Sequence, residues 1–431
     1  MSADSPTSDE SASGEGRRRP ALTLEDALRP LPYHQQIVDH LRDGEAELWT
    51  WFSSTGYLEE HAKNVRLELL KSCYRFERAE HADLYAAVDE VRQALGVAAP
   101  VTLYQSQNAQ AMNAFLSYVP GEAHVVLEGP VRDTLSQDEL RATLAHELTH
   151  YVLWEQRGGE LLVADQMLCA MASHPRAEAS HLESARLFRL YLEVHADRGA
   201  LAVSPEPMAA ISSLIKIQTG LADASAESYL RQADEILSQA ELRTEALTHP
   251  EAYIRARALQ LWSREGEAAN AEVARMIEGP LDLGHLTLLG QQRLSAITRR
   301  LLARFLRPGW LRTQARVAHA RLFFADLDPE KENADREDTA LLPDHADWKR
   351  ESTGQYLCYV LLDLATADRQ DGDAALAAAF KLAEELQLDE PFLSSAAQEL
   401  ELGKRAIARL KKEASDVVAA AAAAAPPEAE A

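Results

Sequence analysis

Cysteine is scarce in this 431-residue chain: Cys73, Cys169 and Cys358 stand far apart and form no CxxC pair. That pattern argues against a disulfide framework and suits a reducing compartment, with each thiol expected as a small buried hydrophobe. Long apolar runs are also missing. The longest uncharged small-residue run, Val417 to Ala425, falls far short of the roughly 20 residues that span a bilayer. No apolar segment follows Arg17, Arg18 and Arg19, so no signal peptide is expected, and the protein is read as soluble and cytoplasmic. Positive charge is in deficit, with 44 Lys and Arg against 68 Asp and Glu and a net charge of −24. Nucleic acid and anionic lipid would be repelled at long range, so no nucleic-acid partner is expected, and the lack of a long apolar run predicts no membrane span. There is no repeat of fixed period either.

The chain does have 46% apolar residues, enough for a large core and, by length, two or three structural units. Residues 1–28 are rich in Ser, Asp, Glu and Gly and predict a disordered tail. Helical periodicity then runs from Leu31 to Val97, ending in "HADLYAAVDEVRQAL" with Leu84, Val88, Val91 and Leu95 on one stripe. From Pro100 the texture changes. The runs "VTLYQS", "NAFLSYV" and "AHVVLEG", broken by Asn, Pro and Gly, predict a small antiparallel sheet. Helical patterns resume to about Phe324, and the charged, Pro-interrupted stretch 326–347 reads as a linker. The expected organisation is a catalytic region at 29–262 with a helical preface, a helical extension at 263–325, a C-terminal helical bundle at 348–412 and a low-complexity tail at 413–431. The fold class is α+β, mostly α.

Chemistry concentrates in "LRATLAHELTHYVLWEQ", residues 140 to 156, which follows a Ser136-Gln-Asp-Glu139 capping box. Positions four apart on a helix differ by roughly 40°, so His146 and His150 can reach one metal ion. Glu147, roughly 100° round from His146, is placed to act on a water instead of on the metal. The spacing alone arises by chance in about one such sequence in twenty, so context has to carry it. Leu140, Leu144, Leu148 and Val152 give this helix a packing stripe. A tetrahedral catalytic zinc with one open position needs a third protein ligand. "LYLEVHADRGAL" offers Glu193 with Asp197 four residues on, while His195 points off that face; Glu155, Glu160, Glu178 and Glu183 compete on spacing alone.

Four pieces, taken together in order, resemble the HtpX-like zinc metallopeptidases, a family that includes the type I CAAX prenyl proteases. They are "NAF" before the strand "HVVLEG", then "LSQDELRATLAHELTH", then "EVHAD", and finally "THPEAYIRARAL" with Arg255 six residues after its histidine. The likeness covers about residues 65 to 262. It implies a zincin-like core in which His146, His150 and Glu193 hold Zn2+, Glu147 activates water and Asp197 orients a ligating histidine. It further implies that Asn113, Ala114 and Phe115 form the edge receiving an extended peptide. His249 would then donate to the developing oxyanion, or else cap the helix near Pro250. Most relatives carry hydrophobic spans; this chain has none, which disfavours prenylated or membrane substrates.

The expected function is a soluble zinc endopeptidase acting on a peptide or protein; the alternative is a latent helical scaffold built on a metallopeptidase core. Substrate identity and oligomeric state are not legible. The segment 158–185 is either a lid or core packing by Leu168 and Met171. Eight arginines between Arg293 and Arg321, with no acidic residue from 283 to 325, form either a polyanion site or an internally paired face. "YVLLDLATADRQDGDAALAAAFKLAEEL" faintly resembles TerB-like domains but lacks EF-hand oxygen spacing, so calcium is not expected. "ELWTWF" is read as packing.

Overall fold

The computed structural model describes residues 22–107, 111–204, 206–239, 244, 249–332 and 351–424. The N-terminal part comprises α1 (Leu24–Leu28), α2 (Pro32–Gly44), α3 (Ala46–Phe52), α4 (Thr55–Ser72), the strand β1 (Cys73–Arg75) and α5 (Ala82–Ala94). Strands β2 (Val101–Ser106), β3 (Asn113–Val119) and β4 (Glu122–Glu128) follow. Next come α6 (Val131–Thr134), α7 (Gln137–Glu155), α8 (Glu160–Ser173), α9 (Ala179–Val203), α10 (Pro207–Thr219), α11 (Ala226–Gln239), α12 (Ala252–Glu265) and α13 (Asn270–Glu278). The last group is α14 (Leu288–Phe305), α15 (Gln314–Phe323), α16 (Pro329–Glu332), α17 (Glu351–Thr366), α18 (Gly372–Glu385), α19 (Asp389–Glu399) and α20 (Lys404–Ala424). The α+β, mostly helical class holds.

The sheet is mixed, not wholly antiparallel as expected. Its order is β1-β2-β4-β3, with β2 and β4 parallel and the other two pairs antiparallel. The β3–β4 hairpin turns back so that β4 enters between β2 and β3, which pushes β3 to the rim. β4 can take the middle because Ala123 through Leu127 are all buried, so both of its faces are covered. On one face Leu103, Val125 and Leu127 pack with Leu84 and Val88 of α5 and with Leu144 and Leu148 of α7. On the other, Tyr104 and Val126 meet Leu69 of α4. β1 was missed within the helical preface; three residues are too few to display a period of two.

α7 is enclosed on nearly every side, and its neighbour α9 crosses it closely. Thr149 on α7 and Gly199 on α9 meet there, and a Cβ at position 199 would overlap the Thr149 side chain. Glycine at this helical position is required by the approach of the two helices, not by its backbone angles. α8 packs into the main core through Leu161, Val163, Ala164, Met167 and Leu168. The segment after Gly158 is therefore part of the core, not a lid.

Residues 1–21 of the expected tail lie outside the described residues, but its last residues form α1, with Ala27 fully buried. Arg198 of α9, 1% exposed, donates to the carbonyls of Asp26 at 2.7 Å and Arg29 at 3.3 Å, and so ties α1 down. Much of the expected linker, 333–347, also lies outside the described residues. The chain on its two sides shares one apolar cluster, with Leu301 and Phe305 of α14 against Leu357, Leu361 and Phe380. The arginines of α14 and α15 pair internally: Arg299 with Asp326 and Glu332, Arg304 with Glu385, and buried Arg316 with Asp371 in the acidic turn after α17. In "ELWTWF", Phe52 is buried and Trp49 packs on the core, while Trp51 is 55% exposed. Among the cysteines only Cys358 is fully buried; Cys73 and Cys169 are half-buried. Among the described residues no helix is long and apolar enough to cross a membrane.

Substituting Gly199→Ala forces α7 and α9 apart and should cost about 1–3 kcal/mol, the usual range for overpacking a closed core. Chemical denaturation measures this; an unchanged midpoint would show that the crossing has slack.

Candidate metal centre

The position of α7 is set at its first turn. Ser136 Oγ accepts the Glu139 amide at 3.3 Å, and the Glu139 carboxylate accepts the Ser136 amide at 2.8 Å. Glu139 also receives Lys216 and Ser212 from α10, so the same carboxylate fixes the helix start and a neighbouring helix. Three turns on, His146 and His150 face α9, their ring centroids 5.0 Å apart.

From α9, Glu193 reaches both rings. Its Oε2 lies 3.4 Å from His146 Nε2 and its Oε1 lies 3.6 Å from His150 Nε2. One ligand atom from each of His146, His150 and Glu193 can be chosen so that all lie within 4.8 Å of one another. Ligands of a tetrahedral zinc at about 2.0–2.1 Å stand roughly 3.4 Å apart, so the two His–Glu separations are close to those of a loaded site. Asp197, one turn beyond Glu193, accepts His146 Nδ1 at 3.0 Å, which leaves Nε2 facing the other candidate ligands. Arg255 of α12 closes the back. It donates to Asp197 through Nε at 2.8 Å and Nη2 at 2.7 Å, and its Nη1 lies 3.5 Å from Glu193.

The charges show what the pocket demands. Glu147, Glu193 and Asp197 are three largely buried carboxylates facing a single buried guanidinium, Arg255. Burial alone would lower the His146 pKa, yet Asp197 and Glu193 outweigh it and raise it to about 10. Burial likewise opposes ionisation of Glu193, but His146 and Arg255 prevail and hold its carboxyl well below the usual range. Burial of Glu147 pushes its carboxyl up to about 7, with His146 pulling the other way. His150, also buried, is lowered to about 4 by that burial and presents a neutral imidazole able to ligate a metal. A divalent cation would balance the three carboxylates against one arginine. The donor set and the charge therefore both fit a zinc ion.

The other expected residues fall as follows. Asn113, Ala114 and Phe115 lie on β3, at the rim of the sheet and along the same cleft as the three candidate ligands. Leu116 of β3 lines the cleft with Glu147, close enough for its backbone to help lower that carboxyl. His249 is half exposed, with Nε2 at 3.5 Å from Glu193 Oε2. It does not cap α12, whose N-cap is Glu251; Thr248 of the same motif lies outside the described residues. The competing glutamates are engaged elsewhere: Glu155 with Tyr118, Glu160 with Arg42 and Arg157, Glu183 with Arg186, and Glu178 at the start of α9. His195 is fully buried beside His34, away from the cluster.

Sequence reasoning noted Arg255 only as part of a matching motif and gave it no partner. Fifty-eight residues separate it from Asp197, and no local spacing signals such a pair. The contribution of α10 to the cleft, through Ala210, Ser213, Leu214 and Ile217, was missed for the same reason.

Replacing Arg255→Met strands Asp197 in a buried site and should cost about 3–5 kcal/mol, the usual penalty for breaking a buried ion pair from one side. Arg255→Lys should restore only part of that, because an ammonium cannot donate in the same two-pronged way. Thermal unfolding of the two variants provides the comparison; equal melting temperatures across the series would contradict the assignment.

Residues 78–263 match the family model described as Peptidase family M48, and this stretch contains every residue of the cluster. Over 219 residues the chain is 29% identical to the plastoglobule-localized metallopeptidase 48, chloroplastic, of Arabidopsis thaliana. That alignment covers 47% of this chain and 62% of the relative, so the chain spans less than two thirds of the curated relative it matches. No solved structure gives a significant match. With the cluster lying inside the matched stretch, residues 78–263 are similar to the M48 peptidase family.

Proposed function

We propose that this protein is a zinc-dependent endopeptidase that hydrolyses peptide bonds in peptides or proteins. The observation that carries the reading is the convergence of His146, His150 and Glu193 from two crossing helices, with Glu147 beside them in an open cleft bordered by a sheet edge. In this reading His146, His150 and Glu193 hold the ion, which when bound supplies Lewis acidity and lowers the pKa of a water toward about 7.

The protein's own groups do the rest. Glu147, one residue past the first ligand, accepts the proton of the attacking water and passes it to the leaving amine. Its carboxyl, raised to about 7 by burial, is suited to both transfers. Asp197 and Arg255 keep His146 in one tautomer and orientation. The β3 edge at Asn113, Ala114 and Phe115 takes an extended backbone by strand addition, which fixes the scissile bond over the centre. His249 is proposed to donate to the oxyanion that develops on the carbonyl. Among the described residues lining the cleft, every charged one belongs to the centre, so none at either end is placed to hold a free peptide terminus. That favours internal cleavage. Three cysteines without a disulfide support a reducing compartment such as the cytoplasm.

Glu147→Gln should keep zinc near one equivalent while casein cleavage falls by about 10²–10⁴-fold. Glu193→Ala should lower zinc content itself, and chelation should abolish wild-type cleavage. Elemental analysis beside a casein assay decides; full activity in Glu147→Gln would sink the mechanism.

A further inference from the structure

β3 lies at the rim of the sheet, paired with β4 alone among the described residues. Ala114, Leu116 and Tyr118 fall on one face of it and pack against the apolar cluster that holds Leu144, Leu148 and Tyr151 of α7. Ala114 and Leu116 also line the cleft of about 770 Å³. Apolar contact is non-directional, so by itself it leaves a rim strand room to slide or tilt over a helix. A directional contact is needed to fix the strand's position.

Glu155, the last residue of α7, supplies one. Its Oε1 accepts the Tyr118 hydroxyl at 2.7 Å and, at 3.4 Å, the amide of Gly121 in the turn between β3 and β4. Tyr151, one turn earlier on α7 and 5% exposed, stands with its ring centroid 5.7 Å from that of Tyr118. Burial, with the Glu155 charge acting in the same direction, pushes the Tyr151 hydroxyl up to about 12, so it stays protonated beside the carboxylate. Hydrogen bonds to an ionised acceptor are roughly twice as strong as neutral ones. A second tie to the same hairpin comes from another helix: Arg66 of α4 donates to Glu122, at the start of β4, at 2.9 and 3.2 Å. The Glu155 tie differs from it in one respect. It joins the hairpin to the helix that carries His146, Glu147 and His150, ending five residues, or roughly 7.5 Å, beyond His150.

Resting on the peptidase reading, we propose that Glu155 is a positioning residue: by holding Tyr118 and Gly121 it clamps the β3 edge to α7, and so sets where an extended substrate backbone lies relative to the metal centre. A displacement of about 1 Å in a reacting group costs on the order of a hundredfold in rate. A peptide laid on a loosened edge keeps its strand pairing but loses its aim, so kcat falls while KM changes little. Glutamate acts here as an acceptor, and glutamine at 155 retains an oxygen for both donors.

Two readouts test the clamp. The first is steady-state kinetics on an internally quenched peptide copied from a casein site that the wild type cuts, with zinc content measured in each variant. Glu155→Ala and Tyr118→Phe should lower kcat by about ten- to hundredfold, with KM within about threefold and zinc near one equivalent. Glu155→Gln should recover most of the loss, and Arg66→Ala, which frees the hairpin from α4 instead, should leave kcat unchanged. The second is hydrogen exchange followed by mass spectrometry. Residues 113–121 should exchange at least about fivefold faster in Glu155→Ala than in wild type or Glu155→Gln, with residues 143–150 unaltered. Should Glu155→Ala fail to fold, Tyr118→Phe, which loses one hydroxyl, carries both measurements. Unaltered exchange in residues 113–121, no recovery in Glu155→Gln, or an equal fall of kcat in Arg66→Ala would overturn the proposal. A wild type inert toward casein, with exchange accelerated as expected, would overturn the peptidase reading and leave the clamp standing.

Discussion

Everything at this site depends on how closely α7 and α9 cross. Thr149 meets Gly199 without an intervening side chain, and that contact lies beside the ligand pairs. His146 and His150 precede and flank Thr149 on one helix, while Glu193 and Asp197 precede Gly199 on the other. A larger residue at the crossing would move imidazoles and carboxylates apart together. Packing thus sets the distances among the candidate ligands, and the polar groups inherit them.

The second constraint is electrostatic, and it is resolved in layers. Glu193 and Asp197 are attracted to the same cationic groups, but Arg255 holds Asp197 from two directions and only grazes Glu193. Asp197 is thereby committed to His146, and Glu193 keeps its oxygens turned to both rings. Glu147 is drawn down by His146 and Arg255 against the burial that raises its carboxyl, and the Leu116 backbone of the sheet edge acts in the same direction. One of the groups that act on this carboxylate therefore belongs to the strand on which an extended peptide would be laid.

How much of this could be read from the chain follows from the range of each interaction. The relation of His146 to His150, and of Glu193 to Asp197, is a property of one helical turn and was legible, as was the capping box at Ser136. The sheet order was not, because alternation tells which face of β4 is buried but not which strand lies beside it. Gly199 gave no signal, since a glycine inside a long helix looks like a blemish until the neighbouring helix is in place. Arg255 was visible through resemblance alone. The basic run from Arg293 to Arg321 left a polyanion site and an internally paired face both open, because its partners Asp326, Glu332, Asp371 and Glu385 lie beyond it in sequence.

The clasp of Arg198 on the carbonyls of Asp26 and Arg29 has a consequence for where the region around the candidate centre begins. A fragment started at residue 29, the boundary that composition suggests, would discard the Asp26 carbonyl and the rest of α1. Arg198, next to Asp197 and almost without solvent contact, would then be an enclosed cation missing its main acceptor. The smallest self-sufficient piece that carries the candidate centre must include the short helix at Leu24, which sequence alone assigned to the tail.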